Sequence, residues 1–346
     1  MINKTLLEER LDQIISPVMH SHTPGMALII SRGEEILIRK TYGMADLQKN
    51  IPVTLDHQFA IASNTKQFTC MAIMMLKEQG LLDYDEPIAK FFPDFPDYRH
   101  QITIRHLMNH QSGIPDYTEA PDWLTEHRET LPADMLEFIK SLGDLNFAPG
   151  ERFSYCNSGY VMLGSIVSQL TGMPFGTFLE QNILAPAGMA HACAPDSASR
   201  RAPHLAEGYN LEEDGSYVKQ PYDMALVGYA DGNIQATADD MLAWHHYLYG
   251  GAQKLVKPET LAEALAEQCE TDMEDCAYGF GLIKSENKGR REIWHGGGTM
   301  GFSSRCSRYI DEDLSIIMLT NVLGLPKYEL YHKIAAEVFA LLDEEE

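Results

Sequence analysis

Basic residues are scarce in this chain: 27 lysines and arginines stand against 50 aspartates and glutamates in 346 residues, a formal net charge of -23. That balance leaves no cationic stripe for phosphate contacts and repels nucleic acid and anionic lipid, so a small molecule or a protein is the expected partner. Long apolar runs are missing too. No stretch approaches the roughly 18 uninterrupted apolar residues of a membrane span. The first segment, MINKTLLEERLDQIISPVMHSH, breaks its helically spaced Leu6, Leu7, Leu11, Ile14, Ile15 and Val18 with Glu8, Glu9, Arg10 and Asp12. It reads as an amphipathic helix and not as a signal-peptide core, so the chain is expected to be soluble and cytoplasmic. The six cysteines (Cys70, Cys156, Cys193, Cys269, Cys276 and Cys306) form no CxxC pair and have no histidines at zinc spacing. Reduced structural thiols and no metal are expected.

What is present is a patterned, 45% apolar chain, long enough for one large or two ordinary domains. GMALIISRGEEILIRKTYG reads as two strands around a Gly-Glu-Glu turn. Residues 63–80 read as a helix ending at Gly80, and the next ~160 residues carry helical periodicity with Pro/Gly punctuation. From Tyr278 the pattern returns to strands: YGFGLIK, a turn at SENKG, RREIWHGGG, then GFSSRCSRYI, a turn at DED, and LSIIMLTNV. A final helix, YELYHKIAAEVFALLDEEE, follows. The predicted class is α/β in the α+β sense: an antiparallel sheet built from both chain termini and flanked by helices, with a mostly helical region inserted. In residue terms, 1–68 and 245–346 form a discontinuous sheet domain and 69–244 the helical one, with the active site between them.

The stretch FAIASNTKQFTCMAIMMLKEQG places Ser63 and Lys66 three apart at the head of an apolar run. The spacing alone is weak, because Ser216/Lys219 and Ser285/Lys288 share it; those two lie in turn-like EEDGSYVK and KSENKG. Only Ser63 opens a helix, where positions i and i+3 share a face. Phe68, Met71, Ile73, Met74, Met75 and Leu76 make that helix apolar nearly all round, so a lysine in its first turn is costly unless something holds it there. Two readings stay open on this stretch: a capping serine with a snorkelling lysine, or a nucleophile whose proton a desolvated lysine helps to remove.

Ser63-Asn64-Thr65-Lys66, then Tyr155-Cys156-Asn157, then His295-Gly296-Gly297 resemble the three ordered motifs of the serine β-lactamase and penicillin-binding-protein superfamily. The Tyr-x-Asn form is similar to the branch of class C β-lactamases, D-alanyl-D-alanine carboxypeptidases, D-aminopeptidases and β-lactamase-like esterases. RHLMNHQSGIPDY, FAPGERFSYCNSGYVMLGSIVSQLTGMPF, GNIQATADDM, YGFGL and HGGGTMGFSS extend the resemblance over roughly residues 20–325. It implies a β-lactamase/transpeptidase-like fold and a serine hydrolase that forms an acyl-enzyme. In that reading Ser63 is the nucleophile, and Lys66 and Tyr155 move its proton, the ammonium lowering the pKa of the phenol. Asn157 bonds Lys66 or a substrate amide, His295, Gly296 and Gly297 bind or orient the substrate, and the N–H groups of Ser63 and Gly298 form the oxyanion hole. No metal or organic cofactor is needed.

Gly296-Gly297-Gly298-Thr299-Met300-Gly301 also matches the dinucleotide G-x-G-x-x-G, but a strand follows it and no acidic residue stands about 20 positions on. An α/β-hydrolase HGGG loop lacks its G-x-S-x-G elbow here. A glycine-rich edge strand that lets a substrate backbone approach is the reading kept. SENKG imitates S-x-N at Ser285 and Asn287, yet its position in a hairpin turn assigns it no role. His295 and Gly296 replace the lysine and threonine of K-T-G, groups that in the family help hold a carboxylate, which shifts the expected substrate toward a small ester or amide. A D-amino-acid peptidase or carboxypeptidase, a weak β-lactamase, and a non-catalytic binding protein on the same fold are the alternatives. The oligomeric state is not legible.

Overall fold

The computed structural model describes residues 2–120, 123, 132–197, 200–221, 228–250 and 255–344. At its centre is an eight-stranded sheet. The chain's first part supplies β1 (Met26–Arg32) and β2 (Glu35–Tyr42). Its last part supplies β3 (Cys269–Glu270), β4 (Ala277–Tyr278), β5 (Ile283–Asn287), β6 (Arg290–Thr299), β7 (Phe302–Tyr309) and β8 (Leu314–Thr320). The order is β2-β1-β8-β7-β6-β5-β4-β3, every pair antiparallel. β1 and β8 thus join the two ends of the sequence, with Met26 opposite Thr320 and Arg32 opposite Leu314.

Both strands are buried on both faces, and period-2 alternation divides their side chains between two cores. Met26, Leu28 and Ile30 of β1, with Leu314, Ile316 and Met318 of β8, face α1 (Lys4–Ile15) and the C-terminal helix α5 (Lys327–Asp343). Leu7, Leu11 and Ile15 of α1 meet Leu330, Ile334 and Val338 of α5 in that layer, each burial contributing about 1.5–3 kcal/mol. Ala27, Ile29, Ile317 and Leu319 face the opposite way, onto α2 (Lys66–Glu78), α3 (Asn157–Thr171) and α4 (Ala238–Tyr249). Gly172 closes α3 in the left-handed conformation that a side chain would disfavour.

The hairpin between β5 and β6 corrects one expectation. Ser285, Glu286 and Asn287 lie in β5, not in a turn. The turn is the two-residue Lys288-Gly289, whose φ values of 52° and 78° give the left-handed pair that a tight hairpin needs. Pairing of β5 with β6 ends at Ile283 opposite Trp294. From His295 to Thr299, β6 pairs only with β7 among the described strands, leaving its other edge to face the turn that carries Ser63.

Candidate active site

Ser63 sits in a 3-10 turn, Ala62–Thr65, that runs directly into α2. Ala62 has φ 49°, a left-handed conformation costing a non-glycine residue roughly 1–2 kcal/mol. Its neighbours over-determine that shape. Ser304 of β7 donates to the carbonyl of Ile61 at 2.8 Å and accepts from Asn64 Nδ2 at 2.9 Å. Ile61 N–H donates to the Ile234 carbonyl at 3.0 Å, and Ile234 N–H donates to Thr65 Oγ1 at 3.1 Å. Residues 59–60 and 235–236 pair as a short two-stranded sheet behind the turn. Gly297 completes the clamp, since a Cβ there would come within 2.2 Å of the Ile61 carbonyl and 2.5 Å of Ser304 Oγ. Its absent side chain lets β6 lie against the turn that carries Ser63.

The capping reading of Ser63 does not describe this turn, because no side chain caps the start of either helix. The Ser63 hydroxyl is partly exposed and accepts instead from Lys66 Nζ at 3.1 Å. Lys66 is fully buried and donates also to Asn157 Oδ1 at 2.8 Å and to the Asp231 carbonyl at 2.9 Å. Its ammonium stands 4.9 Å from the ring centroid of Tyr155 and 5.2 Å from that of Tyr160. Three neutral oxygens and two aromatic faces therefore surround the buried Lys66 nitrogen.

Asn157 is the first residue of α3. Asp116 fixes its amide: Oδ2 accepts from both Nδ2 and the backbone N–H of Asn157 at 2.9 Å, so Oδ1 is turned toward Lys66. A carboxylate at a helix N-terminus is also favoured by the helix dipole. Asp231 is buried beside the cluster, its carboxylate accepting from Tyr117 OH and Tyr229 N–H at 2.8 Å each. Burial raises its pKa, and Lys66 offsets part of that rise.

Tyr155 presents a partly exposed ring, but its hydroxyl is shut away from solvent with no hydrogen bond of good geometry. Burial raises its pKa above the ordinary tyrosine value; Lys66 and Ser63 act in the lowering direction without cancelling it. The expected effect of the ammonium is present, then, but desolvation outweighs it, and the resting residue is a neutral phenol.

On the glycine strand, Gly298 is exposed and Gly296 partly exposed at the free edge of β6. His295 is buried, and both ring nitrogens are engaged inside the protein: Nε2 with Tyr278 OH at 3.2 Å and Nδ1 with the Gly296 carbonyl at 2.6 Å. The structure thus brings Ser63, Lys66, Tyr155 and Asn157 together around one ammonium, with Gly296 to Gly298 alongside. Sequence reasoning missed Asp116, Tyr117, Asp231, Ser304, His110 and Tyr278. RHLMNHQSGIPDY held three of these, yet nothing in its spacing marked which side chains turn inward.

Among the described residues, no group of three or more His, Cys, Asp or Glu could hold a metal ion, and no helix is long and apolar enough to cross a membrane. A surface pocket lined by His57, His191, Cys193 and His204 shares no residue with the Ser63 cluster.

Residues 11–340 match the sequence profile of the Beta-lactamase family. Penicillin-binding protein 4* of Bacillus subtilis is 28% identical over 336 residues, 93% of this chain and 73% of its own length. The D-aminopeptidase of Brucella ovis is 32% identical over 319 residues, 87% of this chain; the chain spans 57% of that relative. An octameric penicillin-binding protein homologue from Pyrococcus abyssi superposes with a TM-score of 0.86 at 25% identity, covering 98% of this chain and 78% of its own. D-amino acid amidase from Ochrobactrum anthropi SV3 gives 0.84 at 25% identity, over 97% and 98%. With two of its three motifs meeting at the Lys66 nitrogen and the third on the strand alongside, the chain belongs to the Beta-lactamase family.

Proposed function

We propose that this protein hydrolyses a small ester or amide through an acyl-enzyme on Ser63. The observation that carries the reading is the buried Lys66 ammonium, 3.1 Å from Ser63 Oγ and 2.8 Å from Asn157 Oδ1, beneath the ring of Tyr155. Ser63 Oγ attacks the carbonyl carbon and its proton passes to the Lys66–Tyr155 pair. Since Tyr155 rests as a phenol, the pair must first give up a proton before it can act as the base. The oxyanion forms against the N–H groups of Ser63 and Gly298, each worth about 3 kcal/mol at the transition state. The pair returns the proton to the leaving group, and water then releases the acyl group by the reverse sequence. Asn157 holds the ammonium in place, Gly296 presents a backbone edge along which the substrate lies, and Gly297, lacking a side chain, lets that strand lie against the Ser63 turn.

Gly296 carries no side-chain donor for a substrate carboxylate, which favours esters and simple amides over carboxylated ligands. A D-amino-acid amide or peptide is the second reading, supported by the likeness to a D-aminopeptidase and a D-amino acid amidase. The decisive test is intact mass after exposure to a fluorophosphonate or a short acyl ester. One adduct is expected on the wild type and none on Ser63→Ala; an adduct that survives the substitution refutes the mechanism. Rates on p-nitrophenyl esters, D-alanyl peptides and nitrocefin then rank the substrate classes, and absence of turnover on all three marks a binding protein.

A further inference from the structure

Beneath Tyr155 lies a chain of buried polar rings that the hydrolytic steps do not use. His110 Nδ1 accepts from the backbone N–H of Cys156 at 2.9 Å. A neutral imidazole with an accepting Nδ1 carries its proton on Nε2, and that nitrogen lies 3.1 Å from Tyr278 OH. His110 is fully buried, and burial with the nearby Lys66 holds its pKa well below the ordinary histidine value, so the ring is neutral. With His110 donating to it, Tyr278 Oη keeps one proton to donate; its remaining neighbours are the Tyr160 hydroxyl and His295 Nε2 at 3.2 Å, and His295 is the acceptor because its own ring proton is directed from Nδ1 to the Gly296 carbonyl. An accepting Nε2 leaves the His295 proton on Nδ1, where the Gly296 carbonyl at 2.6 Å, an acceptor only, receives it.

We infer that His110 and Tyr278 are positioning residues: through a one-directional relay, Cys156 N–H to His110 to Tyr278 to His295, they fix His295 in its Nδ1–H tautomer and so hold the glycine edge of β6. Three observations join the relay to the site. It begins on the backbone of Cys156, between Tyr155 and Asn157, and ends on Gly296, two residues before Gly298. The backbone groups of alternate residues on a strand point to one edge, so the carbonyl that His295 holds shares an edge with the Gly298 N–H. The His110 ring also packs on Tyr155 with centroids 4.3 Å apart, and His110 keeps a left-handed backbone, φ 60°, that few side chains adopt without cause. His295 therefore orients the substrate through the backbone it pins and not by touching it. This role rests on the acyl-enzyme reading for its consequence in turnover, though not for the tautomer itself.

The test uses full-length protein labelled with 15N at histidine, with His295 assigned by its loss in His295→Gln. Two-bond 1H–15N correlation at neutral pH should show Nδ1 protonated and Nε2 bare in the wild type. Tyr278→Phe, which keeps the ring and removes only the hydroxyl, should bring His295 into exchange between tautomers. It should also lower kcat on a p-nitrophenyl ester by about tenfold to a hundredfold with KM little changed, because a displaced oxyanion donor acts at the transition state. A wild-type His295 protonated on Nε2 overturns the inference, as does a Tyr278→Phe protein with tautomer or kcat unaltered. The spectrum needs no substrate: a missing Ser63 adduct beside the Nδ1–H tautomer refutes the hydrolase reading alone, and the wrong tautomer beside a normal adduct refutes the relay alone.

Discussion

Tyr155→Phe separates a catalytic phenol from a structural one. The hydroxyl is buried and lacks a well-formed hydrogen bond, and such a group costs a folded protein about 1–3 kcal/mol. Phenylalanine fills the same ring volume against His110 and beneath the cleft, so no cavity opens and the desolvation cost disappears. The variant should be as stable as the wild type or more so. With an unfolding entropy of about 2.1 cal/mol/K per residue, 346 residues turn 1–3 kcal/mol into a rise of roughly 1.5–4 °C in Tm. Activity should move the other way, by the 10²–10⁴-fold typical of losing a positioned proton-transfer group. Calorimetry and steady-state p-nitrophenyl ester hydrolysis on the same preparations measure both. A Tm that falls by several degrees with kcat intact would refute the reasoning, for it would mean that the phenol is a satisfied structural group.

Three further outcomes follow from the same geometry. Burial holds Tyr155 above the ordinary tyrosine value, so the base form of its pair with Lys66 is scarce at neutral pH; kcat/KM should climb through the mildly alkaline range, and a flat pH–rate profile there would contradict it. His245, pushed down to about 3 by burial and by Arg308, stays neutral when folded but takes a proton on unfolding below its ordinary 6.5. Stability is then full above about pH 6.5 and falls with acidification, by about 2 kcal/mol at pH 5 from this residue, and denaturant titrations of His245→Gln should show a correspondingly shallower acid limb. Gly297→Ala drives a methyl into the Ile61 carbonyl and Ser304 Oγ, which predicts a loss of about 1–3 kcal/mol on chemical unfolding together with slower acylation of Ser63. An alanine variant with wild-type stability would show that the turn carrying Ser63 is free to move.

The sequence displayed the parts of this site that depend on local spacing. Ser63 and Lys66 are three apart at the head of α2, which is buried almost throughout, so spacing and burial singled out the pair, and the ordered Tyr155-x-Asn157 and His295-Gly296-Gly297 motifs then favoured one of its two readings. The same reasoning read the sheet from both termini, because β1 and β8 are continuous apolar runs long enough to be strands. It failed at SENKG, where a tight pair of left-handed residues, Lys288 and Gly289, takes the turn and draws Ser285 to Asn287 into β5. Glycine, asparagine and serine mark a turn region well; they mark its two-residue centre poorly.

What stayed hidden is of another kind. The oxygens that receive Lys66 lie 3, 91 and 165 residues away, on a side chain, a side chain and a backbone carbonyl. The last of these has no sequence signature, since any residue at position 231 supplies a carbonyl; only the tertiary path of the chain makes it a ligand for the ammonium. His110 and Tyr278, 168 residues apart, carry side chains that a sequence assigns with equal ease to a core or to a surface. Their role depends on the direction of each hydrogen bond, which the backbone N–H of Cys156 sets and the carbonyl of Gly296 completes. Both ends of the relay are main-chain groups common to every residue, so the polarity that orders His295 is a property of the fold alone. A substitution that keeps both rings and moves either backbone group should therefore disturb the glycine edge as much as removing a ring.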